Sequence, residues 1–258
     1  MPDSSSTLPL DGAGLATLED RVREDLEYLC WPGKSWVPTM TAAGEPVTDV
    51  VIIGGGMCGM VAWMSLRTGG IDNVRVLDRS PEGFEGPWLN YARMETLRSP
   101  KTLTGPAYGH GALTFQAWYR AQFGTRSWEQ LDKIPRPMWM EYLKWYRKAL
   151  AIPVENGVSL DRVEPEGDLL RLHLTGADKP SILARKLVMG TGPIPSIPAC
   201  CEGLGENVIH AGDYLKHKAE LQQQEAITLV GSGQSAAEIF YDLLEEAGPD
   251  SYRGIWLT

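Results

Sequence analysis

Residues 48–70, TDVVIIGGGMCGMVAWMSLRTGG, predict a strand, a tight turn and a helix in direct succession. The run VVII is continuously apolar, which is typical of a parallel strand that is buried on both faces. Gly54, Gly56 and Gly59 follow it in a GxGxxG pattern. In this pattern the first glycine permits the turn, the second lets a pyrophosphate approach the backbone, and the third lets the helix pack on the strand. The stretch therefore predicts a dinucleotide-binding turn.

An acidic residue strengthens this interpretation. Asp78 ends the next predicted strand, NVRVLD, 24 residues after Gly54. A carboxylate at this place can accept hydrogen bonds from the ribose hydroxyl groups of a nucleotide. The strand, the glycine spacing and the acid together predict an α/β fold with a parallel sheet and helices packed on it.

A second strand, glycine turn and helix lie in residues 226–244, AITLVGSGQSAAEIFYDLL. Gly231, Gly233 and Ala236 form a GxGxxA pattern that begins 177 residues after the first motif. Two such motifs in one chain are far more specific than one. The predicted fold is therefore a doubly wound, Rossmann-like domain followed by the start of a second one.

Composition excludes several classes of protein. The net charge of −9 argues against a nucleic-acid-binding surface, which needs clustered lysine and arginine. The four cysteines form neither a disulfide framework nor a CxxC pair for zinc, which favours a reduced, cytoplasmic protein without a metal. The N-terminus lacks the pattern of a secretory signal. The longest apolar run is interrupted by glycines and is too short to span a bilayer.

The two glycine motifs, with the segment KLVMGTGPIPSIP (186–198) between them, resemble the class B flavin-dependent monooxygenases. VIHAGDYL (208–215) and VGSGQSAAEIFYDLL (230–244) look most like the N-hydroxylating ornithine and lysine monooxygenases. RSPKTLTGP (98–106) and LTFQAWY (113–119) are similar to the substrate-side segment of that branch. The resemblance covers the chain from about residue 47 to its end. The sequence departs from the family pattern at residues 189–192, where Met-Gly-Thr-Gly replaces Ala-Thr-Gly. The sequence fingerprint of the Baeyer–Villiger enzymes is missing.

The resemblance implies two cofactors and a type of reaction. FAD would lie on Gly54, Gly56, Gly59 and Asp78. NADPH would lie on Gly231, Gly233, Gln234, Ser235 and Ala236, although the choice between NADH and NADPH is not predicted. The implied activity is N-hydroxylation of a small-molecule amine or amino acid with O₂. Two alternatives stay open, another two-nucleotide flavoprotein oxidoreductase and a truncated FAD-binding remnant without turnover.

Residues 85–111, EGPWLNYARMETLRSPKTLTGPAYGHG, are expected to face the flavin and the substrate. Trp88 either packs near the flavin ring or belongs to the core. Arg98 and Lys101 either hold a substrate carboxylate or are surface charges in a loop. The aromatic residues of PMWMEYLKWYRKAL (137–150) are expected to form core rather than a cofactor site.

The predicted domain organisation has three parts. Residues 1–46 form an N-terminal extension with a capping helix, residues 47–198 the FAD-binding domain, and residues 199–258 an incomplete NAD(P)H-binding domain. Two strands cannot bury both faces of a parallel sheet, so we expect a truncated enzyme. Such a chain should bind FAD weakly, show no coupled NADPH oxidation and expose apolar surface near Ile239 and Tyr241.

Overall fold

The computed structural model describes residues 13–205, 207–247 and 255–257. Its α-helices are α1 (Leu15–Tyr28), α2 (Met57–Thr68), α3 (Phe115–Gln130), α4 (Arg136–Ala149), α5 (Tyr214–Leu221) and α6 (Gln234–Ala247). Its strands are β1 (Met40–Ala42), β2 (Glu45–Ile53), β3 (Val74–Asp78), β4 (Val154–Asn156), β5 (Ser159–Glu166), β6 (Leu169–Thr175), β7 (Ser181–Met189), β8 (Thr228–Val230) and β9 (Ile255–Leu257). Short 3₁₀ turns lie at Gly111–Leu113, Ala199–Cys201 and Ala211–Asp213.

The described residues divide into two compact units. The first contains the residues up to Gly86 and from Thr96 to Gly192, and the second contains Pro87–Glu95 and the residues from Pro193 onward. The assignment of these units to FAD and NAD(P)H binding stays a prediction.

The first unit is built on a sheet with the strand order β4-β3-β2-β7-β6-β5, and the short strand β1 pairs with the first residues of β2. The pairs β4–β3, β3–β2 and β2–β7 are parallel. The pairs β1–β2, β5–β6 and β6–β7 are antiparallel. The predicted Rossmann-like α/β fold is therefore confirmed, with an antiparallel hairpin added beside β7. All four residues of the VVII run are buried, as expected for a strand with neighbours on both sides.

Aromatic side chains form much of the core between the helices of this unit. Trp139, Tyr142, Leu143, Trp145 and Tyr146 of α4 are all buried, which confirms their prediction as core. The Tyr142 hydroxyl donates a 2.6 Å hydrogen bond to the Leu113 carbonyl oxygen. Burial raises the pKa of Tyr142 well above its usual value, because the phenolate would be desolvated. These side chains thus serve packing, and the Tyr142 hydroxyl finds its hydrogen-bond partner inside the protein.

The second unit contains one strand–turn–helix–strand sequence. β8 and β9 pair in parallel, and α6 lies between them in the chain. Tyr214 of α5 packs against Ile239 and Leu243 of α6, and all three are buried. The prediction that Ile239 would be exposed was wrong, because α5 covers this face of α6. Tyr241 is 63% exposed, as expected.

No helix among the described residues is both long enough and apolar enough to cross a bilayer. The same residues contain no group of His, Cys, Asp and Glu side chains that could hold a metal ion.

Candidate dinucleotide site

The first glycine of the turn after β2 is required by the fold itself. Gly54 has a φ of +104°, and a Cβ there would lie 2.2 Å from the Gly190 carbonyl oxygen. Gly190, which follows β7, donates its backbone N–H to the Ile53 carbonyl oxygen at 2.7 Å. The ends of β2 and β7 thus meet so closely that only glycine fits between them.

The third glycine is also required by packing. A Cβ on Gly59 would lie 1.8 Å from the Gly54 carbonyl oxygen. This distance is far below any tolerated contact, so α2 could not approach the end of β2 with a larger residue there. Gly59 therefore has the role that the motif assigns to its third glycine, close helix–strand packing.

The second glycine differs from the other two. A Cβ on Gly56 would have its nearest neighbour, the Gly86 Cα, at 3.5 Å, which is ordinary van der Waals contact. Gly56 is also the N-cap of α2, with a φ of −70° that any residue can adopt. Nothing inside the protein therefore demands glycine here. A phosphate approaching the N-terminus of α2 would demand it, because the first backbone N–H groups of a helix lack helical partners and bind anions.

Asp78 lies beside this turn at the end of β3 and is 7% exposed. Its Oδ2 accepts a 2.7 Å hydrogen bond from the Gly55 N–H, and its Oδ1 accepts one of 2.7 Å from the Ser80 N–H. The carboxylate thus fixes the conformation of the turn. Since a carboxylate can accept about four hydrogen bonds, acceptor capacity remains for the hydroxyl groups of a ribose. Ribose binding by Asp78 stays a prediction.

A cavity opens next to the turn. The residues that line it are Gly55, Gly56, Met60, Glu82, Gly83, Glu85, Met140, Leu143, Lys144 and Arg147. Sequence reasoning singled out only Gly56 among these as a binding residue. The acidic and basic residues of the lining come from distant parts of the chain, so no local pattern could have identified them.

The second glycine turn, in the second unit, has fewer neighbouring atoms around its glycines than the first turn has. Gly231 has a φ of +125°, and nothing lies within 4 Å of a Cβ built on it or on Gly233. Ala236 is buried, and its N–H donates to the Gly233 carbonyl oxygen at 3.0 Å. Gln234 is exposed as the first residue of α6. The turn thus has the open backbone that a pyrophosphate would need, but coenzyme binding at these residues stays a prediction.

A cation from an earlier segment reaches the start of α6. Arg93 donates hydrogen bonds to the Ser235 hydroxyl oxygen and, at 2.7 Å, to the Ala211 carbonyl oxygen. Sequence reasoning selected Ser235 but did not find Arg93. The two residues lie 142 positions apart, and only the folded unit brings them together.

Trp88 and Arg98, which were also predicted as site residues, belong to different units. Trp88 is half-buried in the second unit, within a turn in which the N–H groups of residues 90–92 all bond to the Pro87 carbonyl oxygen. Arg98 is exposed in the first unit. Contact of Trp88 with the flavin and contact of Arg98 with the substrate stay predictions.

Lys101 has an internal role. Its ammonium group donates to the Trp128 carbonyl oxygen at 2.6 Å, to that of Glu129 at 3.3 Å and to that of Leu131. It also lies 4.9 Å from the centre of the Trp128 ring. An ammonium group has three donors, and these three carbonyls at the C-terminus of α3 use all of them. This geometry favours helix capping over the predicted contact with a substrate carboxylate.

Replacing Lys101 with methionine tests this role. Loss of the charge-assisted hydrogen bonds should lower the free energy of unfolding by about 1.5–3 kcal/mol, which corresponds to a Tm lower by about 3–10 °C. The matched control is Lys133→Met, because the exposed Lys133 makes a single 3.4 Å bond to the Arg98 carbonyl oxygen. An unchanged Tm for Lys101→Met, together with weaker binding of an amino acid, would instead support the substrate role.

Comparisons with known proteins identify the family of the chain. Residues 120–257 match the family model described as L-lysine 6-monooxygenase/L-ornithine 5-monooxygenase. The FAD-dependent urate hydroxylase of Xanthomonas campestris is 47% identical over 182 residues, which cover 69% of this chain and 38% of that protein. The putrescine N-hydroxylase of Shewanella oneidensis is 38% identical over 130 residues, which cover 48% of this chain and 26% of that protein.

Solved structures show the same fold. The FAD-bound cadaverine monooxygenase of Erwinia amylovora superimposes with a TM-score of 0.66 at 24% identity, over 81% of this chain and 51% of the other. The chain thus spans well under two thirds of the length of the proteins that it matches. Since the family model matches more than half of its residues, the chain belongs to the L-lysine 6-monooxygenase/L-ornithine 5-monooxygenase family.

Proposed function

We propose that the chain functions as an FAD- and NADPH-dependent monooxygenase that N-hydroxylates a small amine or amino acid with O₂. The observation that supports this most strongly is the first glycine turn. Gly54 and Gly59 are required by the fold, whereas a Cβ on Gly56 would make only ordinary van der Waals contacts, so the fold itself does not require glycine there. This is the arrangement expected of a turn that binds the pyrophosphate of a dinucleotide.

In this proposal the chain's own residues position the cofactors. The backbone at Gly56 and the N-terminus of α2 would hold the FAD pyrophosphate, and Asp78 would hold the ribose of its adenosine half. Gly231, Gly233 and the start of α6 would hold the pyrophosphate of NADPH. FAD, when bound, supplies the oxygen chemistry that protein side chains cannot perform. We also propose that the protein works in the reducing cytoplasm. This is supported by the free thiols of Cys30, Cys58 and Cys201.

A second candidate reaction deserves the same test. The relative named a urate hydroxylase matches more of this chain, at higher identity, than the relative named a putrescine N-hydroxylase. Hydroxylation of urate is therefore the alternative to N-hydroxylation of an amine. The two reactions need the same nucleotide turns and differ in the substrate.

The experiment that separates these reactions measures products. The purified chain is incubated with FAD, NADPH and O₂, and with putrescine, ornithine, lysine or urate in separate reactions. The proposed function predicts an N-hydroxylated product from at least one amine and no loss of urate, whereas a truncated FAD-binding remnant would bind FAD and form no product. Consumption of urate would support the alternative reaction. Absence of product from every substrate, despite bound FAD, would contradict both reactions. Oxidation of NADPH alone is not evidence for either reaction, because reduced flavin also reacts with O₂ without a substrate.

A further inference from the structure

A buried carboxylate lies beside the first glycine turn. Glu85 is 5% exposed and belongs to the segment Glu82–Gly86, which we name the wall segment. Its Oε1 accepts hydrogen bonds from Arg147 at 2.6 Å and from the Asn156 amide at 2.7 Å. Its Oε2 accepts one of 2.9 Å from the Gly83 N–H. The carboxylate is thus bonded within the wall segment and to two other elements, α4 and β4.

The partners of Glu85 are themselves held in place. The Arg147 side chain is 17% exposed and also donates at 3.1 Å to the Val154 carbonyl oxygen and to Asn156 Oδ1. The Asn156 amide also donates to the Ser80 carbonyl oxygen at 3.0 Å. A buried charge is costly unless it is paired and its hydrogen bonds are made. This network therefore holds the wall segment in one position against α4 and β4.

That position determines the shape of the cavity next to the turn. Gly86, which ends the wall segment, lies close enough to Gly56 that a Cβ built there would be 3.5 Å from its Cα. Glu82, Gly83 and Glu85 line the cavity from one side, and Gly55 and Gly56 line it from another. Displacement of the wall segment would change the width of this cavity.

We propose that Glu85 is a positioning residue for FAD: through Arg147 and Asn156 it holds the wall segment at the distance from the glycine turn that the cofactor needs. This inference rests on the proposed function, in which FAD lies on this turn. Charge alone predicts the opposite effect, since a carboxylate repels the anionic pyrophosphate and its removal should strengthen binding. The two explanations therefore differ in sign.

The test uses Glu85→Gln, which keeps the size of the side chain and removes its charge. We expect the Kd for FAD, measured by flavin fluorescence, to rise by roughly tenfold, the change that corresponds to one charge-assisted hydrogen bond. The matched control is Asp49→Asn. Asp49 is 4% exposed and is paired with Arg185 at 2.9 Å, but it lies in β2 away from the turn. Asp49→Asn, which likewise removes the charge of a buried, ion-paired carboxylate, should lower the Tm and leave the Kd for FAD unchanged.

Each outcome has one meaning. An unchanged or smaller Kd in Glu85→Gln would overturn the positioning role while leaving FAD binding by the wild type intact. An equal rise of the Kd in Asp49→Asn would reduce the effect to general destabilisation and would also overturn it. Failure of the wild type to bind FAD would contradict the proposed function instead. If Glu85→Gln does not fold, the second variant is Asn156→Ala, which removes the bonds of Asn156 to Glu85, Ser80 and Arg147 and keeps the ion pair between Glu85 and Arg147. It should raise the Kd for FAD about threefold, and no change would overturn the inference.

Discussion

Gly56→Val should nearly abolish FAD binding while the protein stays folded. The valine side chain would occupy the space through which the pyrophosphate reaches the backbone at the N-terminus of α2. Loss of two charge-assisted hydrogen bonds would raise the Kd for FAD by at least about 100-fold. The Tm of the apoprotein should fall by only about 2–4 °C, because valine is a poorer N-cap than glycine but a Cβ at Gly56 meets its nearest atom at 3.5 Å. Flavin fluorescence and thermal unfolding measure these two quantities.

The control for this substitution is Gly111→Val. Gly111 is exposed, and nothing lies within 4 Å of a Cβ built on it. This variant should bind FAD as the wild type does, so it corrects for any general effect of a new valine. Retention of wild-type affinity by Gly56→Val would show that FAD does not lie on the first turn.

Gly54→Ala, unlike Gly56→Val, should act on stability and destabilise the fold. The backbone there has a φ of +104°, which costs an alanine about 1–3 kcal/mol. The new Cβ would lie 2.2 Å from the Gly190 carbonyl oxygen, and moving β7 away costs about 1–3 kcal/mol more. We expect a Tm lower than that of the wild type by about 5–20 °C.

Gly44→Ala separates the two contributions. Gly44 has a φ of +82°, but nothing lies within 4 Å of a Cβ built on it. Its substitution therefore has the conformational cost without the clash, and it should lower the Tm by roughly half as much. Equal losses of stability in Gly44→Ala and Gly54→Ala would mean that the contact between the turn and Gly190 does not matter.

The sequence predicted those features that depend on local patterns. The VVII run and the three glycines after it identified β2, the turn and α2, because each glycine of the motif has a steric reason tied to its neighbours. Helical spacing of aromatic residues identified the core face of α4. The spacing between the glycine turn and the acid placed Asp78 at the end of β3, where it bonds the turn, while ribose binding by Asp78 stays a prediction.

What could not be predicted depends on contacts between distant residues. Glu85 and Arg147 lie 62 positions apart, and neither has a local pattern that indicates its partner. For Lys101 the sequence indicated either a substrate contact or a surface charge, because its bonds to the end of α3 cannot be seen from its own loop. Ile239 was expected at the surface because the sequence does not show that α5 covers it.

A titration with FAD in the absence and presence of excess NADP⁺ tests most directly whether the two glycine turns bind two different dinucleotides. We expect one FAD per chain and the same Kd for FAD in both titrations, because NADP⁺ would occupy the turn at Gly231 and leave the turn at Gly54 accessible. Competitive displacement of FAD by NADP⁺, or the absence of saturable FAD binding, would contradict this assignment.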